Sequence, residues 1–389
     1  NRRILLENKE NIGLKLSVEN VDISFINDLW IYEPLNFGGI ANMTAMVRDL
    51  FKFKDLSAVV KMDTLLINED SYGSVFISAR APTVREKIQA TVGIKKADQT
   101  ISANGFYYPP NFSGDQTISK NKKGIVHKNY LDFDVKVRNF PVNFLEYFLK
   151  PSIADTKGLL DVDGKLYGPP DELLALGEGR ARDVETTITF LNTRFSAATS
   201  TIVLREKLWD ASETVVYDEE GNQAMVFGGV THEHLRNLGL DVRIVTMGDQ
   251  FVAMNTSEGD NEYFYGKGVG TGYAKFSGSF KQPKVYVSAT SAKGTKVTIP
   301  ISYTQNASEV KFITFRSDEK KKENDTPKRP EIRGLEIEMD LVMNETAEVE
   351  MVFDKYWGDV IKGTGTGNLQ IFMSRDGNLD LKGNYVVEQ

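Results

Sequence analysis

The residues with most to offer chemically are the histidines, a glycine-rich run and paired carboxylates. The chain has three histidines, His127, His232 and His234. If residues 232–234 formed a strand, both rings of His232-x-His234 would share a face and could seed a two-ligand metal site beside Asp or Glu. No third ligand can be named, so polar residues at a strand-to-turn transition are the plainer reading. A Ser-His-Asp hydrolase lacks its nucleophile elbow, because no G-x-S-x-G motif occurs. Gly266-Lys267-Gly268-Val269-Gly270-Thr271-Gly272 has the look of a phosphate loop, but it continues into Tyr273-Ala274-Lys275-Phe276 rather than into a helix. The stretch from Lys362 to Gly367 has the same character and also runs into a strand-like segment. Glycines there fit bending or bulging of a sheet better. Asp161 and Asp163 would lie on one strand face, as glycosidase carboxylates can, yet they alternate with Leu160 and Val162 like any solvated outer face. No convincing catalytic set emerges. The chain reads as a non-enzyme without metal or cofactor.

Composition narrows the rest. The 389 residues carry 47 Lys and Arg against 54 Asp and Glu, a net charge of −7. A net-negative chain without a dominant basic block is a poor nucleic-acid partner, because it has little to displace phosphate counterions. The absence of cysteine removes disulfides, thiol nucleophiles and Cys-ligated zinc. No apolar run approaches the ~18 residues of a membrane span. Asn1-Arg2-Arg3 brings neither an initiator Met nor a signal stretch, and Gln389 directly follows an alternating segment. Both ends therefore read as cuts in a longer chain.

Period-two alternation dominates. Phe133, Val135 and Val137 alternate with Asp134 and Lys136; Leu240, Val242 and Ile244 with Asp241 and Arg243. Leu335, Ile337, Met339 and Leu341 alternate with Glu336, Glu338 and Asp340, and Val349, Met351 and Phe353 follow, then Leu369, Ile371 and Met373. Each segment would carry one oily and one polar face, as antiparallel strands wet on one side do. Turn signals stand between them at Asn68-Glu69-Asp70, 218–222, 257–260 and Asp376-Gly377-Asn378. Glycines recur six apart at Gly158 and Gly164, Gly272 and Gly278, and Gly377 and Gly383, a weak repeat that suggests growth in one direction. Helix is expected only over Val142–Lys150, between Pro141 and Pro151, and in a short piece near Glu233–Leu238. The polar run 317–333 reads as a charged flexible loop. The implied division is an N-terminal sheet segment 1–126, a central one 127–316, that loop, and a truncated C-terminal segment 334–389.

On alternation alone, an ordinary β-sandwich core is the plainer reading. Two observations favour an all-β, long, curved antiparallel sheet forming an open U-shaped groove with one or two short helices. Strands are many while helices to cover them are nearly absent, and the glycine repeat implies linear growth. The groove would be lined by Phe133, Val135, Val137, Leu240, Val242, Ile244, Leu335, Ile337, Met339, Leu341, Val349, Met351, Phe353, Leu369, Ile371 and Met373.

From Leu131 to Gln389 the chain resembles the C-terminal region of the TamB family, of the AsmA-like group in diderm bacteria. The likeness is carried by the strand from Leu131 to Val137 with the apolar helix after it, by Gly158-Leu-Leu-Asp-Val-Asp-Gly164, and by Leu191-Asn192-Thr193-Arg194-Phe195-Ser196. The segments from Asp218 to His232, from Trp357 to Leu369 and from Gly377 to Tyr385 complete it. The resemblance implies a β-taco with a greasy interior, in the periplasm, on a parent chain anchored in the inner membrane. It implies phospholipid as cargo and a TamA-like outer-membrane barrel as partner, reached through the parent chain. It implies either passage of phospholipid between the two membranes or assembly of outer-membrane β-proteins. In the second case, unpaired strand edges rather than the apolar face would be the working surface.

Overall fold

The computed structural model describes residues 13–28, 35–112, 129–150, 152–260, 264–300, 335–354 and 359–388. The expected charged loop 317–333, His127 and Trp357 lie outside them. Among the described residues, 23 strands form a single sheet. It is a meander in which each row pairs with the rows before and after it in sequence. Ile40–Asp49, Lys54–Ile67, Asp70–Thr83, Ile88–Lys96, Gln99–Tyr108, Tyr130–Pro141, Ile153–Gly168, Leu174–Ile188 and Thr193–Leu204 follow one another, all antiparallel. Leu14–Asp22 pairs with Ile40–Asp49 to start the sheet, and Leu379–Val387 ends it against Asp359–Met373. Several rows are broken: Leu208–Asp210 and Thr214–Tyr217 both pair with Gln223–Glu233, and so count as one row.

One step departs from the antiparallel expectation. Lys284–Ser291 pairs in parallel with Glu336–Met343, and Lys296–Pro300 in parallel with Glu348–Asp354. The chain leaves one row at Pro300 and begins the next at Glu336 beside Lys284, where the previous row began. A direct hairpin cannot make that connection.

Turn chemistry fixes the hairpins. Asn68 and Glu69 both have positive φ, as a two-residue hairpin turn requires. His234 and Leu235 do the same, at φ 51° and 61°, between Gln223–Glu233 and Arg236–Thr246. The helix expected near Glu233–Leu238 is therefore a hairpin. Its apolar residues follow strand alternation on both sides of a tight turn, which over six residues mimics a helical spacing. The helix expected at Val142–Lys150 is present, as a 3-10 turn Val142–Leu145 running into the α-helical Glu146–Leu149. Shorter 3-10 turns occupy Ile23–Asp28 and Thr189–Leu191.

The hairpin ends fall on two margins. One margin carries residues 50–53, 84–87, 169–173, 205–207, 234–235, 280–283 and 374–378. The opposite margin carries 68–69, 97–98, the helix 142–149 and the turn 189–191.

Candidate functional site: an apolar face in register

The pairing brings the apolar positions of nearly every strand to one face. A single cross-strand line runs through Val18, Met43, Val60, Ile77, Val92, Ala103, Val135, Gly164, Gly177 and Leu204. It continues through Trp209, Val230 and Leu240 to Gly278. A second line links Val242, Phe276, Val285, Ile337, Met373 and Leu379, and a third links Ile244, Ala274, Val287, Met339, Ile371 and Leu381. Phe133 and Val137 flank Val135 on the first, and Leu341 and Leu369 pair beside Met339 and Ile371. Val349 joins through Val297 and Gly363, and Met351 through Ile299 and Ile361. Leu335 is half-buried just ahead of its strand. Phe353 is exposed where the Glu348–Asp354 strand shifts register.

The face is not uniform along the sheet. In the C-terminal rows it packs on itself: Ile337 is 2% exposed and Met373 1%. Met339 and Leu381 pack against a cluster of Met254, Phe264 and Ile299, together with Phe190 and Leu191. The sheet curls far enough that strand Phe251–Thr256 meets Thr193–Leu204, several rows away. Phe195 and Phe251 stack at 5.7 Å with ring planes 5° apart, and Asp218 Oδ2 accepts the Val252 amide at 2.6 Å. In the N-terminal rows the floor is open. Ala45 and Ala58 are exposed, and Leu16, Ala45, Ala58, Ala79, Ala90 and Gly105 stand directly opposite one another in successive rows. The sequence offered nothing distinctive here. Alanine and glycine dilute the alternation, and only the register lines them up.

A flap covers one side of this floor. The helix Val142–Leu149 leaves its own row and skips two others to reach the Ile67–Tyr72 turn. Phe144 meets Tyr72 edge-on at 6.2 Å and Phe140 at 5.5 Å, while Tyr147 Oη bonds the Asp70 carboxylate. Burial, and then the Asp70 carboxylate, push the Tyr147 phenol well above its ordinary value. Ile23, Met62, Leu65, Ile67, Tyr72 and Val75 form the core beneath.

The opposite face is charged and laced across strands. Lys165 Nζ lies 3.2 Å from Asp132, and Glu348 lies between Lys296 and Lys362 at 3.1 and 3.2 Å. The Lys296 ammonium holds the Glu348 carboxyl below its usual range. The Asp161 and Asp163 pair belongs to this lacework: Arg182 meets Asp161 at 2.9 Å and Arg138 meets Asp163 at 2.8 Å. The rings of His232-x-His234 do not share a strand face. His232 is buried against Trp209 at 5.1 Å, whereas His234 sits in the exposed turn. Among the described residues no group of three His, Asp or Glu is placed to hold a metal. The run Gly266–Gly272 lies inside strand Tyr265–Ser279, and a Cβ on Gly272 would fall 2.1 Å from the Ser288 carbonyl. Glycine there admits the neighbouring backbone.

Among the described residues no helix is long and apolar enough to cross a membrane. Residues 214–389 match the family model of the TamB C-terminal domain. No curated protein and no solved structure matches the chain.

Proposed function

We propose, for a chain whose residues 214–389 are a TamB C-terminal region, that the apolar face receives phospholipid acyl chains and passes them along the rows. The TamB family is tied to translocation and assembly in the envelope of diderm bacteria, alongside TamA. Phospholipid cargo, passage between the two membranes and a periplasmic position of the parent chain form the finer reading proposed here. The observation that carries it is the apolar face itself. It runs in register from Val18 to Leu381 and stays open to solvent at Ala45 and Ala58.

Such a surface suits a cargo that must move. Each buried methylene is worth ~0.8 kcal/mol wherever it lies, so neighbouring positions on the floor are close to equivalent and none traps the chain. The charged outer face keeps the module in water.

A second reading rests on the outermost rows. Among the described residues, Leu14–Asp22 and Leu379–Val387 each pair on one side, and a client strand could add to the other. A photoreactive side chain at Ala58, then at Val59 on the outer face, separates the two in the presence of labelled phospholipid. Lipid captured at Ala58 and not at Val59 is expected. Capture at neither, with protein adducts at an edge strand, would overturn the lipid reading in favour of strand addition.

A further inference from the structure

The hairpin tips at the open end of the floor are unlike the rest of this net-negative chain. The tip between Ile40–Asp49 and Lys54–Ile67 reads Leu50-Phe51-Lys52-Phe53, with Phe51 61% and Phe53 50% exposed. Phe53 has φ 47°, a left-handed conformation that bulky side chains rarely adopt, and its ring stands in solvent. The next tip on the same margin begins at Thr83, directly opposite Lys54, and carries exposed Val84 beside Arg85.

Neither Lys52 nor Lys54 has an ion-pair partner among the described residues. Two other cations on this margin are engaged: Arg205 with Asp210 at 3.3 Å, and Arg375 with Glu336 at 3.1 Å. Two of the carboxylates near the tips are turned to local bonds. Asp49 accepts the Lys52 amide at 3.1 Å, and Glu86 accepts the Thr83 hydroxyl at 3.3 Å. Lys87 is engaged over the Phe106 ring at 4.1 Å.

We infer that these two tips form a head-group station for an anionic phospholipid. Lys52 and Lys54 would meet the phosphate, while Phe51 and Phe53 extend the apolar wall past the strand ends to cover the glycerol end of the chains. The inference deepens the groove reading and rests on it. Ala58 lies about 17 Å of extended strand from Phe53, so a lipid whose head sits at the tips lays its chains on the exposed alanine floor. Ammonium groups pair with phosphate as point charges, and aromatic rings settle where apolar chains meet polar heads.

The test uses the 389-residue chain with dihexanoyl phosphatidylglycerol and dihexanoyl phosphatidylcholine, both below their micelle concentrations, and with inorganic phosphate. The wild type is expected to prefer the phosphatidylglycerol probe. Lys52→Glu with Lys54→Glu is expected to lower that affinity by roughly tenfold or more and leave the phosphatidylcholine probe unchanged. Phe51→Ser with Phe53→Ser is expected to weaken both probes. An unchanged preference in the lysine pair overturns the head-group station and leaves the groove reading standing. Equal competition by inorganic phosphate also overturns it, as a plain anion patch, and so does binding to phosphatidylglycerol vesicles without binding of the monomeric probe. Binding of neither probe overturns both readings together.

Discussion

Tyr147 reaches back across two rows of sheet to bond the Asp70 carboxylate, 77 residues earlier, and also donates to the Ile67 carbonyl at 3.4 Å. The rows between them belong to strands that neither residue occupies. The bond therefore ties the flap to the floor independently of the strand ladder.

Removing the hydroxyl and removing the ring anchor should differ. Tyr147→Phe loses bonds to partners that water can reach, so it should cost about 1 kcal/mol. Phe144→Ala takes out the ring shared by Tyr72, Phe140 and Tyr147, and should cost about 2–3 kcal/mol. Urea unfolding gives both values. Amide exchange over 142–150 should rise in Phe144→Ala without a matching rise in the sheet. Equal costs for the two variants would mean that the flap is held by its polar contact.

Asp218 is a structural carboxylate. Buried to 5% exposure, it accepts the amides of Glu220 at 2.9 Å, Asn222 at 2.8 Å and Val252 at 2.6 Å. Asp218→Ala leaves three donors without their acceptor and should destabilise by about 3 kcal/mol, with Asp218→Asn intermediate. A loss under ~0.5 kcal/mol in urea melts would show that water replaces the carboxylate and that the curl between Thr193–Leu204 and Phe251–Thr256 rests on the rings alone.

The two halves of the apolar face should respond differently to charge. Ile337→Asp buries a carboxylate among Val285 and Met373 and should unfold the C-terminal rows, at several kcal/mol. Ala58→Asp sits on exposed floor and should leave the melting curve within about 0.5 kcal/mol while abolishing lipid capture at nearby positions. Normal capture in a folded Ala58→Asp protein would place the lipid path elsewhere.

Burial holds the His232 imidazole below its ordinary value. The unfolded chain takes up the proton first, so this contribution is complete above the free value of ~6.5 and is lost as pH falls through the folded one. Urea midpoints measured from pH 7.5 to 5 should drop in the wild type, and His232→Gln should lack that step. An identical step in the variant would assign it to other groups.

Strand content, the turns at 68–70, 218–222, 257–260 and 376–378, and the sidedness of the strands around 133–137, 240–244, 335–341 and 369–373 are legible in the sequence, because period two is a local signal. Register was not. Nothing local in Ala45, Ala58, Ala79, Ala90 and Gly105 says that they stand in one line. That alignment comes from turn lengths and bulges such as those between Met62 and Leu66. The same limit explains the expected lining residues. Ile337, Val349 and Met373 were recognised by their hydrophobicity, and strongly hydrophobic positions are those the curl buries most completely. The floor that remains open is carried by Ala45 and Ala58, whose apolar character is weak, beside Leu16 and Val18 of the first row.

The meander has an arithmetic of its own. Each row touches the rows beside it, so cohesion accumulates locally and the length of the sheet is a free variable. Inserting or deleting a pair of antiparallel rows alters the span by about 9.6 Å and returns the chain to the margin it left. A single row added between the basic tips and the flap would exchange the margins for everything downstream, bringing the two to the same side. Among the described residues, the parallel step between Lys284–Ser291 and Glu336–Met343 is where that parity is reset. A lineage could shorten or lengthen this track by whole hairpins on either side of that step, and still keep every oily face pointing the same way.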